Sequence, residues 1–202
     1  MRLLSITVTL ILIAYSLMAQ SVNVPQESSA ISPLLIGEKI PSTSLFDMNG
    51  KSVNLQELAG RKQSILVFYR GGWCPYCNLH LAELQTIEPD ILAAGYQIIA
   101  ISPDSPESLR ASADKNKLNY VLLSDHDGEL IKAFGLAFKA PLGYAELLTK
   151  SSGGKNKDML LPVPAVFILN RQGEILFEYI NPDYKKRLKG SLLMAVLKEL
   201  KE

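Results

Sequence analysis

The most constraining stretch of this chain runs from Ser64 to Cys77, where the apolar run Ser64-Ile65-Leu66-Val67-Phe68-Tyr69 delivers a glycine pair and then Cys74-Pro75-Tyr76-Cys77. The run is too short for a helix and apolar at consecutive positions, which predicts a central strand covered on both faces. Beyond the cysteines, Leu81, Leu84, Ile87, Ile91 and Leu92 recur at helical spacing until Gly95. That spacing predicts a helix of about four or five turns with a glycine at its C-terminal end. A strand, a tight turn and a helix start therefore converge on two sulfur atoms.

Such a junction favours a thiolate. Cys74 falls at or just before the first helical turn, where unpaired backbone N–H groups and the helix dipole attract negative charge. Pro75 fits the first turn because no hydrogen bond is lost there. Cys74 is accordingly expected to be the more exposed sulfur. Between Leu58 and Ala82 there is no Asp or Glu, whereas Arg61, Lys62 and Arg70 are present, so the local charge also favours ionisation. Cys77 lies three residues on, on the same helical face, so the pair can alternate between dithiol and disulfide.

The chain has only these two cysteines, so they form one site and not a disulfide framework. An inert disulfide is a competing reading, but so short a loop constrains the unfolded chain little. A zinc half-site from Cys74, Cys77 and His80 is another, with His126 the one remaining histidine. Covalent haem attachment is excluded, because Asn78 stands where a histidine must follow the second cysteine. No cofactor and no metal are expected.

The rest of the mature chain alternates strands and helices. Asn49-Gly50 predicts a two-residue hairpin turn within Leu45–Val53, and Asn54 with Glu57 predicts a capped short helix ending at Gly60. Strands are predicted at Gln97–Ile101, Tyr120–Ser124, Ala165–Leu169 and Glu174–Ile180, and helices from Pro106 to about Asn116, over Glu129–Phe134 and over Ser191–Leu200. Lys139–Leu161, rich in Pro, Gly and Ser, reads as an insertion holding one helix and overhanging the site. The order implies a three-layer α/β domain with a central mixed sheet and an N-terminal β-hairpin. The domain is expected over 37–202, after a flexible lead-in over 20–36.

Residues 1–19 form a separate object. One Arg, an apolar run from Leu3 to Met18 and a small residue at Ala19 read as a secretory signal peptide, so the mature protein is expected to be secreted or periplasmic. A retained membrane anchor is the competing reading. Removing Arg2, the one charged residue of this segment, takes 21 basic groups to 20 against 20 acidic ones. A balanced chain gives no reason to expect nucleic acid as a partner. Outside the cytosol thiols tend toward disulfides, so a working thiol there needs an electron donor.

Phe68-Tyr69-Arg70-Gly71-Gly72-Trp73-Cys74-Pro75-Tyr76-Cys77 resembles the active-site segment of a peroxiredoxin-like branch of the alkyl hydroperoxide reductase and thiol-specific antioxidant superfamily. Ile101–Glu107, Leu123–Gly128, Leu161–Ile168, Asp183-Tyr184 and Arg187 extend the resemblance from about Gly37 to Lys201. It implies a thioredoxin-like fold and a thiol peroxidase that reduces hydrogen peroxide or organic hydroperoxides and is recycled by a thioredoxin-like reductant. The family pattern Pro-x-x-x-Thr/Ser-x-x-Cys puts Arg70 at the proline, Cys74 at the hydroxyl residue and Cys77 at the peroxidatic cysteine. Thioredoxin-type enzymes instead attack with the first cysteine, here Cys74, and resolve with Cys77, so the two roles stay open.

Two departures accompany this. The hydroxyl residue is missing, and Val163-Pro164 stands where ordinary peroxiredoxins carry an arginine before the strand. Val163-Pro164-Ala165 resembles the cis-proline segment of thioredoxins, so a cis bond and a substrate-docking edge at Pro164 are expected. Arg70 and Arg187 are candidates for the missing cation, and Trp73 for contact with a partner protein. A thiol-disulfide oxidoreductase acting on protein disulfides is the alternative function.

Overall fold

The computed structural model describes residues 24–200, and the expected signal peptide lies outside them. Strands β1 (Ser44–Phe46) and β2 (Ser52–Asn54) form the N-terminal hairpin, followed by α1 (Leu55–Ala59) and the central strand β3 (Gln63–Phe68). Then come α2 (Pro75–Ala93), β4 (Tyr96–Ser102), α3 (Pro106–Asn116), β5 (Val121–Ser124) and α4 (Glu129–Ala133). The insertion contributes β6 (Ala137–Lys139), α5 (Ala145–Ser151) and β7 (Leu160–Pro162), and the chain closes with β8 (Ala165–Leu169), β9 (Ile175–Ile180) and α6 (Gly190–Glu199).

The main sheet runs β2-β1-β5-β4-β3-β8-β9. Strands β3, β4 and β5 are parallel neighbours, while β8 lies antiparallel to β3 and β9 antiparallel to β8. This is the expected mixed sheet, with the hairpin joined to it through Phe46 opposite Ser124. β3 is buried along almost its whole length, and its alternate side chains feed two cores. Ile65, Val67 and Tyr69 join Leu81, Leu84, Leu109, Leu193 and Leu197 on one face. Leu66 and Phe68 join Leu55, Leu130, Ile131, Phe134 and Phe167 on the other. The three layers follow from that alternation, since a strand apolar on both faces is stable only between two helical layers.

Local signals carry the helix boundaries. The Asn54 side chain accepts from Glu57 N at α1, and Ser105 accepts from Ser108 N at α3, whose first residue is Pro106. Both caps satisfy a backbone donor that a helix start leaves open.

Three expectations need correction. The hairpin turn is not a two-residue turn with two positive φ angles: only Gly50 has one, and Asp47 pairs with Lys51 around Met48-Asn49-Gly50. The Asp47 carboxylate accepts from Asn49 N and Lys51 N, which makes the longer loop the satisfied one. The lead-in, expected to be flexible over 20–36, is laid on the domain across its described part. Lys139 N donates to Pro25 O and Leu34 N to Phe134 O, with Val24, Ile31 and Leu34 packed on the core. A side chain at Gly135 would stand 1.8 Å from Ser32 O, so only glycine admits this approach. Finally, the insertion holds a strand pair, β6 with β7, besides its helix.

Candidate active site

β3 ends at the site because Tyr69 N still bonds Ile101 O, after which the chain leaves the sheet. The glycine pair that follows is required by packing. A Cβ on Gly71, whose φ is +142°, would lie 2.3 Å from Trp73 Nε1 and 2.8 Å from Asp104 Oδ1. One on Gly72 would lie 1.7 Å from Ser112 Oγ. Gly72 N donates to Asp104 Oδ2 at 2.7 Å, and Asn78 Nδ2 donates to Gly72 O at 2.9 Å, which ties the loop to both α3's approach and α2.

Cys74 is the N-cap of α2 and Pro75 its first residue, as expected. The Cys74 carbonyl accepts from both Cys77 N and Asn78 N at 3.1 Å. Both cysteines are free thiols, and each is 1% exposed. The expectation that Cys74 is the more exposed sulfur is therefore corrected: both sulfurs lie in the core cluster formed between β3 and α2.

The two thiols share one proton unequally. A hydrogen bond from the Cys77 thiol, opposed by burial and assisted by the helix backbone, Arg70 and Arg187, brings Cys74 down from 9.0 to about 6. Burial, followed by the interaction with Cys74, pushes Cys77 well up. Near neutrality the pair therefore carries its charge on Cys74, with Cys77 as donor.

Two guanidinium groups flank the sulfurs. Arg187 Nη2 donates to Cys77 Sγ at 3.3 Å from the segment between β9 and α6. Arg70 is 4% exposed, and its guanidinium carbon lies 5.1 Å from the Trp73 ring centroid, 4.8 Å from Tyr144 and 4.2 Å from Tyr184. Tyr144 comes from the insertion, which does overhang the site. Arg70 also lines a cleft of about 500 Å³ with Tyr144, Tyr184, Pro164, Phe138 and Ser28.

Trp73 is half-buried, with its ring 5.6 Å from that of Tyr144 and its Nε1 without a partner. Tyr76 and Leu79 are the exposed apolar residues beside the pair. Pro164 sits between the cleft and Arg187, but no cis peptide bond exists among the described residues, so the expected cis bond at Pro164 is corrected to trans. The Pro164 carbonyl accepts from Asn181 N, which commits that edge to β9. Among the described residues no three His, Cys, Asp or Glu side chains converge for a metal.

The residues of this site match a family model described as the AhpC/TSA family over residues 36–177. Peroxiredoxin Bcp of Escherichia coli K12 is 30% identical over 169 residues, covering 84% of this chain and 99% of that protein. The chain belongs to the AhpC/TSA family. Peroxiredoxin bcp1 of Schizosaccharomyces pombe is 31% identical over 110 residues, 54% of this chain and 56% of that one. The fold is that of solved peroxiredoxins: reduced Prx3 of Vibrio vulnificus in complex with hydrogen peroxide superposes with a TM-score of 0.70 at 18% identity, over 81% of this chain and 99% of that one. Peroxidoxin BcpB of Mycobacterium tuberculosis gives 0.66 at 18% identity, over 83% and 98%. This AhpC/TSA member is an oxidoreductase, a peroxidase of the thiol-dependent kind, on a thioredoxin-like fold.

The family match includes Cys74, Cys77, Arg70, Trp73 and Pro164 but ends before Arg187, the residue that touches sulfur. Sequence reasoning quoted Asp104 and Tyr184 only within the segments of the resemblance, gave them no role at the site, and passed over Tyr144. Asp104, 1% exposed, is raised from 3.8 to about 6 by burial, against the opposing Gly72 N–H and the nearby hydroxyls of Ser151 and Ser102. Its available signal was the acid in Ile101-Ser102-Pro103-Asp104 just after the predicted strand Gln97–Ile101.

Proposed function

We propose that this peroxidase reduces hydrogen peroxide or organic hydroperoxides through the Cys74/Cys77 couple and is reset by a thioredoxin-like dithiol protein. The supporting observation is the pair itself: a free N-cap cysteine one turn from a second free thiol that accepts from Arg187, with Arg70 in the loop leading to it.

The Cys74 thiolate attacks one peroxide oxygen and displaces the other as alkoxide or hydroxide, which takes a proton and leaves as alcohol or water. Cys74 is then a sulfenic acid. The Cys77 thiol attacks that sulfur, water leaves, and a disulfide forms. A reductant dithiol exchanges with it, returning both thiols and carrying away the disulfide. Arg70 and Arg187 stabilise the sulfur anion and the charge passing to the leaving oxygen.

A second ordering has its own support. Arg187 donates to Cys77 and not to Cys74, and the family pattern puts the peroxidatic role at Cys77, so attack by Cys77 is the reading to test against. Each sulfur is 1% exposed, so a protein partner, whether reductant or disulfide substrate, reaches the pair only by opening the Gly71–Trp73 loop, and the experiment below separates a peroxidase from a protein-disulfide oxidoreductase.

Residues 1–19 act, in this reading, as a secretory signal, placing the mature enzyme in a secreted or periplasmic compartment. The support is the Arg, apolar run and Ala19 of the sequence. Mass spectrometry of the exported chain would give an N-terminus at Gln20, and an intact N-terminus would overturn it.

The decisive experiment mixes the reduced protein with hydrogen peroxide under stopped-flow conditions, following Trp73 fluorescence. Loss of the fast phase in Cys74→Ser and its retention in Cys77→Ser assigns attack to Cys74, and the converse assigns it to Cys77. Reaction no faster than that of a free thiol, with rapid reaction toward a protein disulfide, would overturn the peroxidase couple.

A further inference from the structure

His80 lies one turn beyond Cys77 on α2, 6% exposed, where neither the reaction nor the fold has yet accounted for it. Its Nε2 is buried and has no hydrogen-bond partner. Arg187, which donates through Nη2 to Cys77 Sγ, has a second donor, Nε, that is also buried and without a partner. Among the described residues no carboxylate pairs with Arg187. The guanidinium is thus fixed by nothing acidic, although it lies against the reactive pair.

The two orphan atoms are chemically complementary. The Arg187 Nε–H can only donate. Burial, then the charge of Arg187, lowers His80 from 6.5 to about 4, with the Leu188 backbone opposing, so the ring is neutral at ordinary pH. A neutral imidazole has one ring nitrogen with a lone pair, and the tautomer with that lone pair on Nε2 accepts what Arg187 Nε–H donates. His80 and Arg187 line one small void of about 10 Å³ together with Lys186, Tyr179 and Pro164. That is about the smallest space that holds one water molecule, and such a water needs at least two polar partners.

The geometry points to His80 as a positioning residue, whose Nε2 accepts from Arg187 Nε through one bridging water in that void and so holds the guanidinium against Cys77. This rests on the reading of Cys74/Cys77 as the reactive couple. The titratable groups around His80 are Cys77 on its own helix, Arg187 and Lys186 from the segment before α6, and Tyr179 on β9; the nearest acid on α2, Glu83, is engaged by Gly190 N, so protonating His80 would bring two like charges together and release Arg187.

The test is a titration made without peroxide, so that its failure is separate from failure of the peroxidase reading. In a Cys74→Ser background, the ultraviolet thiolate absorbance reports Cys77 alone. Replacing His80 by Leu is expected to raise the Cys77 titration midpoint by about one pH unit, a tenfold loss of thiolate. His80→Gln, which keeps an acceptor, is expected to recover most of it. In an Arg187→Met background, His80→Leu is expected to shift nothing further. An equal shift with and without Arg187, or no shift in a folded variant, overturns the proposal. Should His80→Leu fail to fold, nitrogen-15 spectra of the unmutated protein decide: a slowly exchanging Arg187 Nε–H supports it, and a solvent-exchanged one overturns it.

Discussion

The two faces of the central sheet treat polar atoms in opposite ways. Toward α1 and α4, the core is closed by Phe68, Phe134 and Phe167, with ring centroids 4.7, 5.3 and 5.9 Å apart pairwise. The buried acid at its edge, Asp125, is fully used: its two oxygens accept from Leu130 N and Ile131 N at 2.9 Å. Toward α2, at the ends of β3 and β4, buried polar atoms stand without partners: Tyr69 Oη, Arg70 Nε, Trp73 Nε1, His80 Nε2, Asp104 Oδ1 and Arg187 Nε. An unsatisfied buried polar group costs about 1–3 kcal/mol. One half of the molecule therefore supplies stability, and the other tolerates its loss around the sulfurs.

The largest expected effect breaks the chemical half outright. Replacing the attacking cysteine by Ser, Cys74 in the reading above, lowers the peroxide reaction by about a thousandfold or more, because the hydroxyl is not ionised at neutral pH. Thermal melting should barely move, since Cys and Ser differ little in volume. A large loss of stability in that variant would mean the sulfurs hold the fold together and would erase the contrast between the faces.

Phe134→Ala makes the opposite cut. It removes a ring in contact with Phe68 and Phe167 and is expected to cost about 3–5 kcal/mol of stability, read from denaturant unfolding. The Cys74 titration midpoint, near 6, should stay in place while the protein remains folded. A shift in that midpoint would show that the two cores are mechanically coupled through β3.

Arg187→Met is smaller and purely electrostatic. Its charge lowers both thiols and its Nη2 contacts one. Its loss is expected to raise the midpoint of the pair by about one unit and slow the peroxide reaction about tenfold near neutrality, with the deficit shrinking as pH rises. A deficit that persists at high pH would mean that Arg187 contacts the peroxide as well as the sulfur.

The same division explains what could be read from the sequence. Everything decided within a few residues was legible: the covered strand, Pro75 opening a helix, the caps at Asn54 and Ser105, and the cysteine at a helix terminus. What depends on sheet order was not. Asp104 reaches Gly72 across 32 residues, and Arg187 reaches Cys77 across 110. Those approaches exist because β4 and β8 both flank β3. The burial of Cys74 was missed for the same reason, as the core cluster that holds it gathers Tyr69, Leu109, Val166 and Leu188 from distant segments. The lead-in was misread because its polar composition hides three apolar anchors, Val24, Ile31 and Leu34.

The smallest expected effect sets the two buried acids against each other. Asp104 keeps its proton to about pH 6 in the folded state against an ordinary 3.8. The unfolded chain has lost that proton by then, so folding takes one up between these values. Stability from this group is therefore greatest below about pH 4, falls as pH rises toward 6, and stays reduced above, by an amount on the order of 1–3 kcal/mol. Asp104→Asn keeps an oxygen for Gly72 N and removes the titration. Near pH 7 it should be more stable than the unmodified protein by that order, with the advantage vanishing near pH 4. Burial raises Asp125 further still, to about 8, so its hydrogen bonds are compared near pH 4, where that titration contributes little: there Asp125→Asn should destabilise by about 1–3 kcal/mol, because an amide NH₂ would replace one oxygen that now accepts an N–H. Urea unfolding at both pH values measures each difference, and taking differences cancels the separate titration of Cys74. If both substitutions destabilise equally near pH 4, Asp104 is as well served by its surroundings as Asp125, and the unpaired polar atoms around the sulfurs cost the fold nothing there.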